Sequence, residues 1–555
     1  MRIISDISRA LRTVPAVGLA VGPAVGLAVV PAVGLALASA LALTPMPASG
    51  VSASGVPGSG APGSRVPEGA DPIRGADAGQ EIPARPAVRE RPNVVVIVVD
   101  DLRWDEYGAA GHPFLRTPNI DRLAREGVVF SNAYNVTPLC SPNRASILTG
   151  QYVSKHGILD NVARDKASHR LRLFAQDLQK AGYETAHIGK WHMGNDPTPR
   201  PGYDYWVSFP GQGKTFDPVL WEDGGLHEVK GYVTDILTDR ALSFIRRDRD
   251  RPFFLYIGHK AIHPDARQLD DGSVDLSYGM RYLPAPRHLG MYEDAVFPRR
   301  PNAKGPPDRS DKPVVRKALD DRDAPPISTT FGEILDRGTS DESIRRRSEM
   351  LMAVDEGLGA LMAALEEMGE LDNTLILFTS DNGYFYGEHG LSIERRLPYE
   401  EAARAPFLLR YRPLARPGSV VDEFVTSIDI APTVLDVAGA PIGPHIQGRS
   451  VVPLLRGDTK GWRNSFLIEY ISYENPMPWL LDLGYKAVRK GKYKYIHWIH
   501  YEGMDELYNL ESDPFELHNL YHEPGMEPVI REMQNELGRL VVEAIGLRVG
   551  GAGSP

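Results

Sequence analysis

The amino-acid sequence predicts an α/β protein: a large mixed, mostly parallel sheet sandwiched by helices, with a smaller C-terminal α+β subdomain. Three observations carry that reading. Val94-Val95-Val96-Ile97-Val98-Val99 is an unbroken β-branched run, which suits a strand covered on both faces, as in a parallel sheet. Thr374-Leu375-Ile376-Leu377-Phe378-Thr379 repeats that plan. It follows a stretch, residues 344–367, whose apolar positions Met350, Leu351, Val354, Leu358, Leu361, Met362 and Leu365 recur at helical spacing. Beyond Pro441 the pattern changes to alternation, as in Ser465-Phe466-Leu467-Ile468-Glu469-Tyr470 and Lys492-Tyr493-Lys494-Tyr495-Ile496-His497-Trp498, which reads as strands with one exposed face.

In chain order, residues 1–48 carry Arg2, Arg9 and Arg12 ahead of a charge-free apolar stretch built on a Pro-Ala-Val-Gly-Leu-Ala repeat. This reads as an export signal, and because the apolar part is long enough to span a bilayer, an uncleaved membrane anchor is the competing reading. Either implies a secreted or cell-surface, extracytoplasmic protein. Residues 49–92 are rich in Gly, Pro, Ala and Ser and read as a disordered tether. A catalytic domain is expected over residues 93–460. Within it, Thr117 to Gly127 opens on Thr-Pro and closes on Gly as a helix does, Phe174 to Gly182 continues the strand–helix alternation, and Pro252 to Tyr256 reads as a strand. From about Asp265 to Asp341, Pro, Arg and Asp dominate without periodicity, so that stretch reads as a long insertion near the mouth of the site. The C-terminal subdomain is expected over 461–548, with a last helix from Glu527 to Leu547, followed by a tail, 549–555. A chain of 555 residues can bury a large core. Its net charge of −10 argues against a broad nucleic-acid surface and still allows a locally cationic pocket for a small anionic substrate.

The chemistry-bearing residues cluster at predicted element ends. The first strand runs into Asp100-Asp101 and the later one into Ser380-Asp381-Asn382-Gly383. Ligand sites in open α/β sheets lie at the carboxyl ends of strands, so two acid-tipped strands imply one shared site. Asp100, Asp101, Asp381 and Asn382 offer hard oxygens and no imidazole, a set that favours Ca²⁺ or Mg²⁺ over Zn²⁺. Neighbours in a regular strand face opposite sides, so the strand must have ended by Asp100 for both carboxylates to converge. Cys140 is the single cysteine and has no partner for a disulfide within the chain, although the chain reads as exported. Pro142 suits the first turn of a helix, which puts Cys140 at the helix start, where backbone N–H groups favour negative charge. Arg144 follows four residues later on the same face.

The run Pro138-Leu139-Cys140-Ser141-Pro142-Asn143-Arg144-Ala145-Ser146-Ile147-Leu148-Thr149-Gly150 resembles the Cys-x-Pro-x-Arg…Thr-Gly signature of the type I, formylglycine-dependent sulfatases of the alkaline-phosphatase-like superfamily. Asn143 stands where the family more often carries Ser, Thr or Ala, a change that touches the fit to the modifying enzyme. Gly182-Tyr183-Glu184-Thr185-Ala186-His187-Ile188-Gly189-Lys190-Trp191-His192 resembles the second signature at every position. Lys190 and His192, two apart, face one side if the chain is extended there; Tyr183, Ile188 and Trp191 read as packing residues. In Gly258-His259-Lys260-Ala261-Ile262-His263-Pro264 the resemblance puts His263 in the place of the sulfate-binding histidine, with His259 its rival, and Ile262 replaces the usual Pro. Arg395 stands where the family places a Lys, four residues before Tyr399-Glu400. The resemblance extends through Glu506-Leu507-Tyr508-Asn509-Leu510 to Leu520.

The resemblance implies a sulfuric ester hydrolase in which a formylglycine-generating enzyme oxidises Cys140. Asp100, Asp101, Asp381 and Asn382, with an oxygen of position 140, would hold Ca²⁺ or Mg²⁺. Lys190, His263 and Arg395 would bind sulfate, and Arg144 and His192 would complete the catalytic set. One hydroxyl of the hydrated aldehyde would attack sulfur while His263 protonates the leaving oxygen; the second would then lose its proton, toward His192 or an aspartate, and expel sulfate. Arg395 keeps the charge of the usual Lys and a grip on oxyanions but cannot serve as a proton donor. Gly202-Tyr203-Asp204-Tyr205-Trp206 and Phe209-Pro210-Gly211-Gln212-Gly213 resemble the N-acetylglucosamine-6-sulfatase and mucin-desulfating branch, so a sulfated amino sugar of glycosaminoglycan or mucin type is the preferred substrate. Tyr203, Tyr205 and Trp206 would stack on sugar or fill the core. Alternative readings are an arylsulfatase, a phosphomonoester or phosphonate hydrolase, and an inactive binder of sulfated glycans if Cys140 stays unmodified. His156 is a further candidate pocket residue; His112, His227, His497, His500 and His518 read as structural or exposed.

Overall fold

Val94, Val96 and Val98 of strand β1 (Asn93–Val99) pack on one face of a sheet, and Val95, Ile97 and Val99 on the other, all buried. Both faces are covered, which is why the run contains no polar alternation. The computed structural model describes residues 91–269, 275, 277–304, 309–319, 340–391, 395–471 and 482–546. The expected export signal or anchor (1–48), the tether apart from its last two residues, and the tail (549–555) lie outside the described residues.

The next elements are helix α1 (Pro118–Glu126), strand β2 (Val128–Phe130), helix α2 (Cys140–Thr149), and strands β3 (Glu184–Gly189), β4 (Tyr205–Ser208), β5 (Val219–Glu222) and β6 (Gly225–Glu228). They are followed by helix α3 (Val233–Ile245), strand β7 (Phe253–Gly258), helix α4 (Asp341–Glu367), and strands β8 (Thr374–Ser380), β9 (Phe407–Arg410) and β10 (Ser419–Val421). The ten strands form one sheet in the order β10-β2-β9-β8-β1-β7-β3-β4-β5-β6. From β8 to β4 the pairings are parallel, and β9 and β5 join antiparallel. Ile120 and Leu123 of α1, Leu237 and Phe244 of α3, and Leu351, Val354 and Leu358 of α4 cover one face; Ala145, Ile147 and Leu148 of α2 cover the other.

Helix α1 begins where Thr-Pro announces it, but Thr117 makes no cap bond. Its hydroxyl donates to Asp121 at 2.9 Å, and the start of the helix is instead capped from α4: the Asp355 carboxylate accepts from Asn119 N at 3.0 Å and Ile120 N at 2.8 Å. Asp355→Ala is therefore expected to cost about 2 kcal/mol, read as a lower urea midpoint at unchanged slope.

Strands β11 (Ser465–Tyr470), β12 (Tyr485–Lys490), β13 (Tyr493–Trp498) and β14 (Glu506–Asn509) form a separate antiparallel sheet, against which helix α5 (Glu527–Ala544) packs Met533, Leu537 and Leu540. The alternation read as an exposed face proves different. The second face packs Phe466, Ile468 and Trp498 on Leu139, Leu397 and Tyr399, and its charged residues are paired in the seam: Lys494 donates to Glu400 at 2.9 Å and lies 2.6 Å from Glu516. Buried charges hydrogen-bonded to one another satisfy the polar positions that sequence alone assigns to solvent.

In the stretch read as an insertion, Asp265 bridges Arg281, and Pro301–Ala303 and Pro313–Leu319 form short helices; residues 320–339 lie outside the described residues. No helix among the described residues is long and apolar enough to cross a membrane.

Candidate active site

Parallel strands end on the same edge of a sheet, and here that edge gathers the signatures. Val99 pairs with Ser380, and Gly258 pairs with both Val98 and Gly189, so Asp100, Asp381, Lys190 and His259 leave neighbouring strands side by side. Gly189 lets β3 and β7 approach: it has φ +108°, and a Cβ there would lie 2.1 Å from Gly258 O. Lys190 N donates to that same oxygen at 2.7 Å.

β1 has ended before Asp100, as convergence requires. Asp101 takes the left-handed conformation, φ 60°, which turns its carboxylate back beside that of Asp100. Ligand atoms of Asp100, Asp101, Asp381 and Cys140 lie within 4.8 Å of one another, all four residues buried. Asn382 Nδ2 donates to Asp101 Oδ1 at 2.7 Å. Asp101 Oδ2 and Asn382 Oδ1 are buried with no hydrogen-bond partner among the described residues. Orphaned oxygens beside three carboxylates fit a hard divalent cation.

Cationic side chains ring this cluster. Arg144, one turn into α2, donates to Asp381 Oδ2 at 2.7 Å, to Lys190 O at 3.0 Å and to His259 O at 3.3 Å, tying three strand ends to the helix. Lys190 Nζ donates to Asp100 and, at 2.6 Å, to Gln212 Oε1. Arg395 Nε lies 3.3 Å from Asp101 Oδ1, and its Nη2 donates to His263 Nε2 at 2.9 Å. His263 Nδ1 donates to Pro264 O at 2.7 Å. Burial pushes Asp100 upward, but Lys190, then His263 and Arg144, hold it well below the carboxylate range. Burial and the Asp100 charge push Asp381 up to about 7. Burial, then the charges of Asp100 and Asp381, push the Cys140 thiol well above its ordinary value, so the unmodified thiol is a poor nucleophile. Burial keeps both His192 and His263 well below the imidazole range.

Of the candidates named from the sequence, Asp100, Asp101, Asp381, Asn382 and Cys140 form the cluster and Arg144, Lys190 and Arg395 contact it directly, whereas His263 is joined to it through Arg395 and His192 through Gln268, Gln212 and Lys190. Lys190 and His192 do not share an extended strand: β3 stops at Gly189 and His192 has φ 67°. They converge because Gln212 and Gln268 bridge them; His192 Nε2 lies 2.7 Å from Gln268 Oε1. Of the two histidine rivals, His263 meets Arg395, whereas the His259 ring nitrogen Nδ1 has no partner among the described residues. His156 is engaged elsewhere, 3.0 Å from Ser146 Oγ and accepting from Ile158 N at 3.1 Å. Trp206 stacks on the buried His187 with ring centroids 4.3 Å apart, and Tyr203 and Trp191 close on the same ring. Tyr205 stacks on Phe244, so these aromatics belong to the core.

Sequence reasoning missed several contacts. Asn143 Nδ2 donates to Asp381 O at 2.6 Å and to Asn135 at 2.8 Å, and its Oδ1 accepts from Ser427. The residue that departs from the family pattern thus grips the backbone of a cluster carboxylate. Arg347, from α4, donates to Asp101 O at 2.6 Å and lies 3.2 Å from Glu106. Gln268 falls in the stretch read as insertion. Apart from Asn135, each partner lies far off in sequence, so no local pattern marks it.

Cations converging on buried oxygen ligands at the carboxyl edge of a parallel sheet place this chain in the class of hydrolases that act on anionic esters. Comparison with known proteins narrows the class: residues 92–440 match the family described as Sulfatase, and 387–543 that described as N-sulphoglucosamine sulphohydrolase, C-terminal. The chain belongs to the sulfatase family and is a sulfuric ester hydrolase. It is 33% identical over 489 residues to the N-acetylglucosamine-6-O-sulfatase of Bacteroides thetaiotaomicron, covering 78% of this chain and 83% of the relative. It is 29% identical over 404 residues to human N-acetylglucosamine-6-sulfatase, covering 68% and 67%. A solved enzyme in complex with its substrate D-glucosamine-2-N,6-O-disulfate superposes with TM-score 0.69 at 29% identity, over 82% of this chain and 98% of that one. The phosphonate monoester hydrolase of Agrobacterium radiobacter, at 21% identity and TM-score 0.64 over 82% of this chain and 96% of that one, shares the fold.

Proposed function

We propose that this sulfatase removes sulfate esters from sulfated amino sugars of glycosaminoglycan or mucin type, with 6-O-sulfated glucosamine the first candidate, outside the cytoplasm. The observation that carries the reading is the packing of Cys140 at the start of α2 against Asp100, Asp101 and Asp381, with ligand atoms within 4.8 Å. Relatives named for N-acetylglucosamine 6-sulfate and a structural neighbour holding a glucosamine disulfate support the substrate; relatives named extracellular sulfatases support the location.

Oxidised to formylglycine and hydrated, position 140 supplies two hydroxyls on one carbon, one to attack sulfur and one to expel sulfate afterwards. A divalent ion held by Asp100, Asp101, Asp381 and Asn382, with Ca²⁺ favoured by so carboxylate-rich and irregular a set, supplies Lewis acidity and charge neutralisation. Lys190 and Arg395 bind the sulfate oxygens and stabilise the charge that gathers on them. Arg144 holds Asp381 and the two neighbouring strand ends in register. His263 commits its Nδ1 hydrogen to Pro264 O, so Nε2 carries the lone pair; once Arg395 turns to sulfate, that nitrogen would take up the proton of the attacking hydroxyl and pass it to the leaving oxygen. Arg395 positions charge and takes no part in proton transfer.

The test uses full-length protein co-expressed with a formylglycine-generating enzyme. The peptide spanning Cys140 should show the mass of an aldehyde in place of the thiol. The protein should release sulfate from N-acetylglucosamine 6-sulfate faster than from an aryl sulfate, and faster than phosphate from the matching phosphate ester. A modified protein that ignores every sulfated amino sugar while turning over aryl sulfates would overturn the substrate; preference for the phosphate ester would overturn the reaction.

A further inference from the structure

Lys190 and His192 are joined by two side-chain amides whose hydrogen bonds converge on one acceptor, Gln268 Oε1. Lys190 Nζ donates to Gln212 Oε1 at 2.6 Å, Gln212 Nε2 donates to Gln268 Oε1 at 3.3 Å, and Gln268 Oε1 lies 2.7 Å from His192 Nε2. An ammonium has donors and no acceptor, so it obliges Gln212 to present its carbonyl oxygen to Lys190 and leaves the amide nitrogen for the other end. That nitrogen can only donate, so Gln268 must meet it with oxygen. A carbonyl oxygen can only accept, so the ring nitrogen at 2.7 Å must carry a hydrogen. Nε2 therefore carries a proton, and in the neutral ring that burial of His192 favours the lone pair is left on Nδ1. That second nitrogen faces α2: it lies 3.4 Å from Ser141 Oγ, whose hydroxyl donates to His192 O at 2.5 Å. Ser141 directly follows position 140 in the helix.

We propose that Gln212 and Gln268 are positioning residues that transmit the donor sense of Lys190 to His192 and set that histidine as the Nε2–H tautomer, its basic nitrogen turned toward the residue-140 end of α2. The consequence for catalysis rests on the function proposed above: a lone pair on this side serves to accept the proton of the hydroxyl that expels sulfate. The wrong tautomer would offer a donor to a group that must lose a proton. Gln212 is buried at 6% exposure, so solvent does not scramble the orientation of its amide. The sequence separates these residues into three segments, and the relay exists because the strap after β7 crosses the edge of the sheet.

The experiment pairs ring-nitrogen NMR with kinetics on the full-length protein. With ¹⁵N-labelled histidine, and His192→Gln used to assign the signal, His192 should show a protonated Nε2 and a bare Nδ1. Gln212→Glu keeps an acceptor for Lys190 and removes the donor toward Gln268; Gln268→Met removes the acceptor for His192. Both should admit the Nδ1–H tautomer and lower kcat about 10- to 100-fold with little change in KM, a split that general loosening of the pocket would not give. Nδ1–H or a doubly protonated ring in the unmutated protein overturns the proposal without any variant having to fold. So does Gln212→Glu with unchanged tautomer and kcat. If the unmutated protein leaves amino-sugar sulfates untouched, the proposed substrate fails while the nitrogen spectrum still decides the relay.

Discussion

Cys140→Ala protein should fold as the parent does and lose sulfate ester turnover by about 10⁴-fold or more, the scale on which loss of a nucleophile is felt. The structural cost is small because, among the described residues, the Cys140 thiol makes one weak side-chain bond, donating to Asp100 Oδ1 at 3.4 Å. Helix α2 is held in place by other residues: Ala145, Ile147 and Leu148 pack on the sheet, and Arg144 and Asn143 bond to the Asp381 strand end. The chemical cost is large because the proposed reaction has its nucleophile at position 140; burial, then the Asp100 and Asp381 charges, hold the thiol well above its ordinary range, so the proposal assigns attack to the oxidised side chain. Initial rates with a sulfate ester and a thermal melt would check both halves. Turnover within tenfold of the parent would remove Cys140 from the reaction.

Stripping divalent cations with a strong chelator should abolish turnover and lower the melting temperature, and Ca²⁺ should restore both. Burial, then the Asp100 charge, raises Asp381 to about 7, and Asp101 is raised too, by burial ahead of the partial relief from Arg395. Three buried carboxylates repel one another, Lys190, Arg144 and Arg395 offset part of that charge, and Asp101 Oδ2 and Asn382 Oδ1 are the partnerless oxygens among the described residues that a divalent ion would take. An ion at a thousandfold excess over its Kd contributes about 4 kcal/mol to the native state. A protein whose melt and turnover both survive exhaustive chelation would refute a metal in this cluster. Restoration by Mg²⁺ and not by Ca²⁺ would reassign the ion.

Much of this arrangement follows from local signals. Asp100 and Asp381 end hydrophobic strands, and parallel strands end together, so their meeting was readable before any coordinates. Arg144 faces the cluster because four residues is one helical turn from Cys140. Other contacts had no such signal. Asn143 looked like a change in a modification motif, yet it bonds a carbonyl 238 positions away. Tyr203 and Trp206 carried the same aromatic character whether they met a sugar or His187, and packing decided for His187. Lys494 marked an exposed face by its polarity, and its pairing with Glu400 and Glu516 made that face an interior one.

By itself the sequence determined which strands are buried on both sides, where they stop and what chemistry stands at their ends, because hydrophobic period, β-branching and motif spacing act over a few residues. The tertiary structure decided which distant side chains meet and in which hydrogen-bond sense. The left-handed turn at Asp101, the amides of Gln212 and Gln268 between Lys190 and His192, and the meeting of His263 with Arg395 all depend on strand register and on the loops that follow the strands. A hydrogen bond between residues far apart in sequence exists through the position of both backbones, and a local pattern records neither.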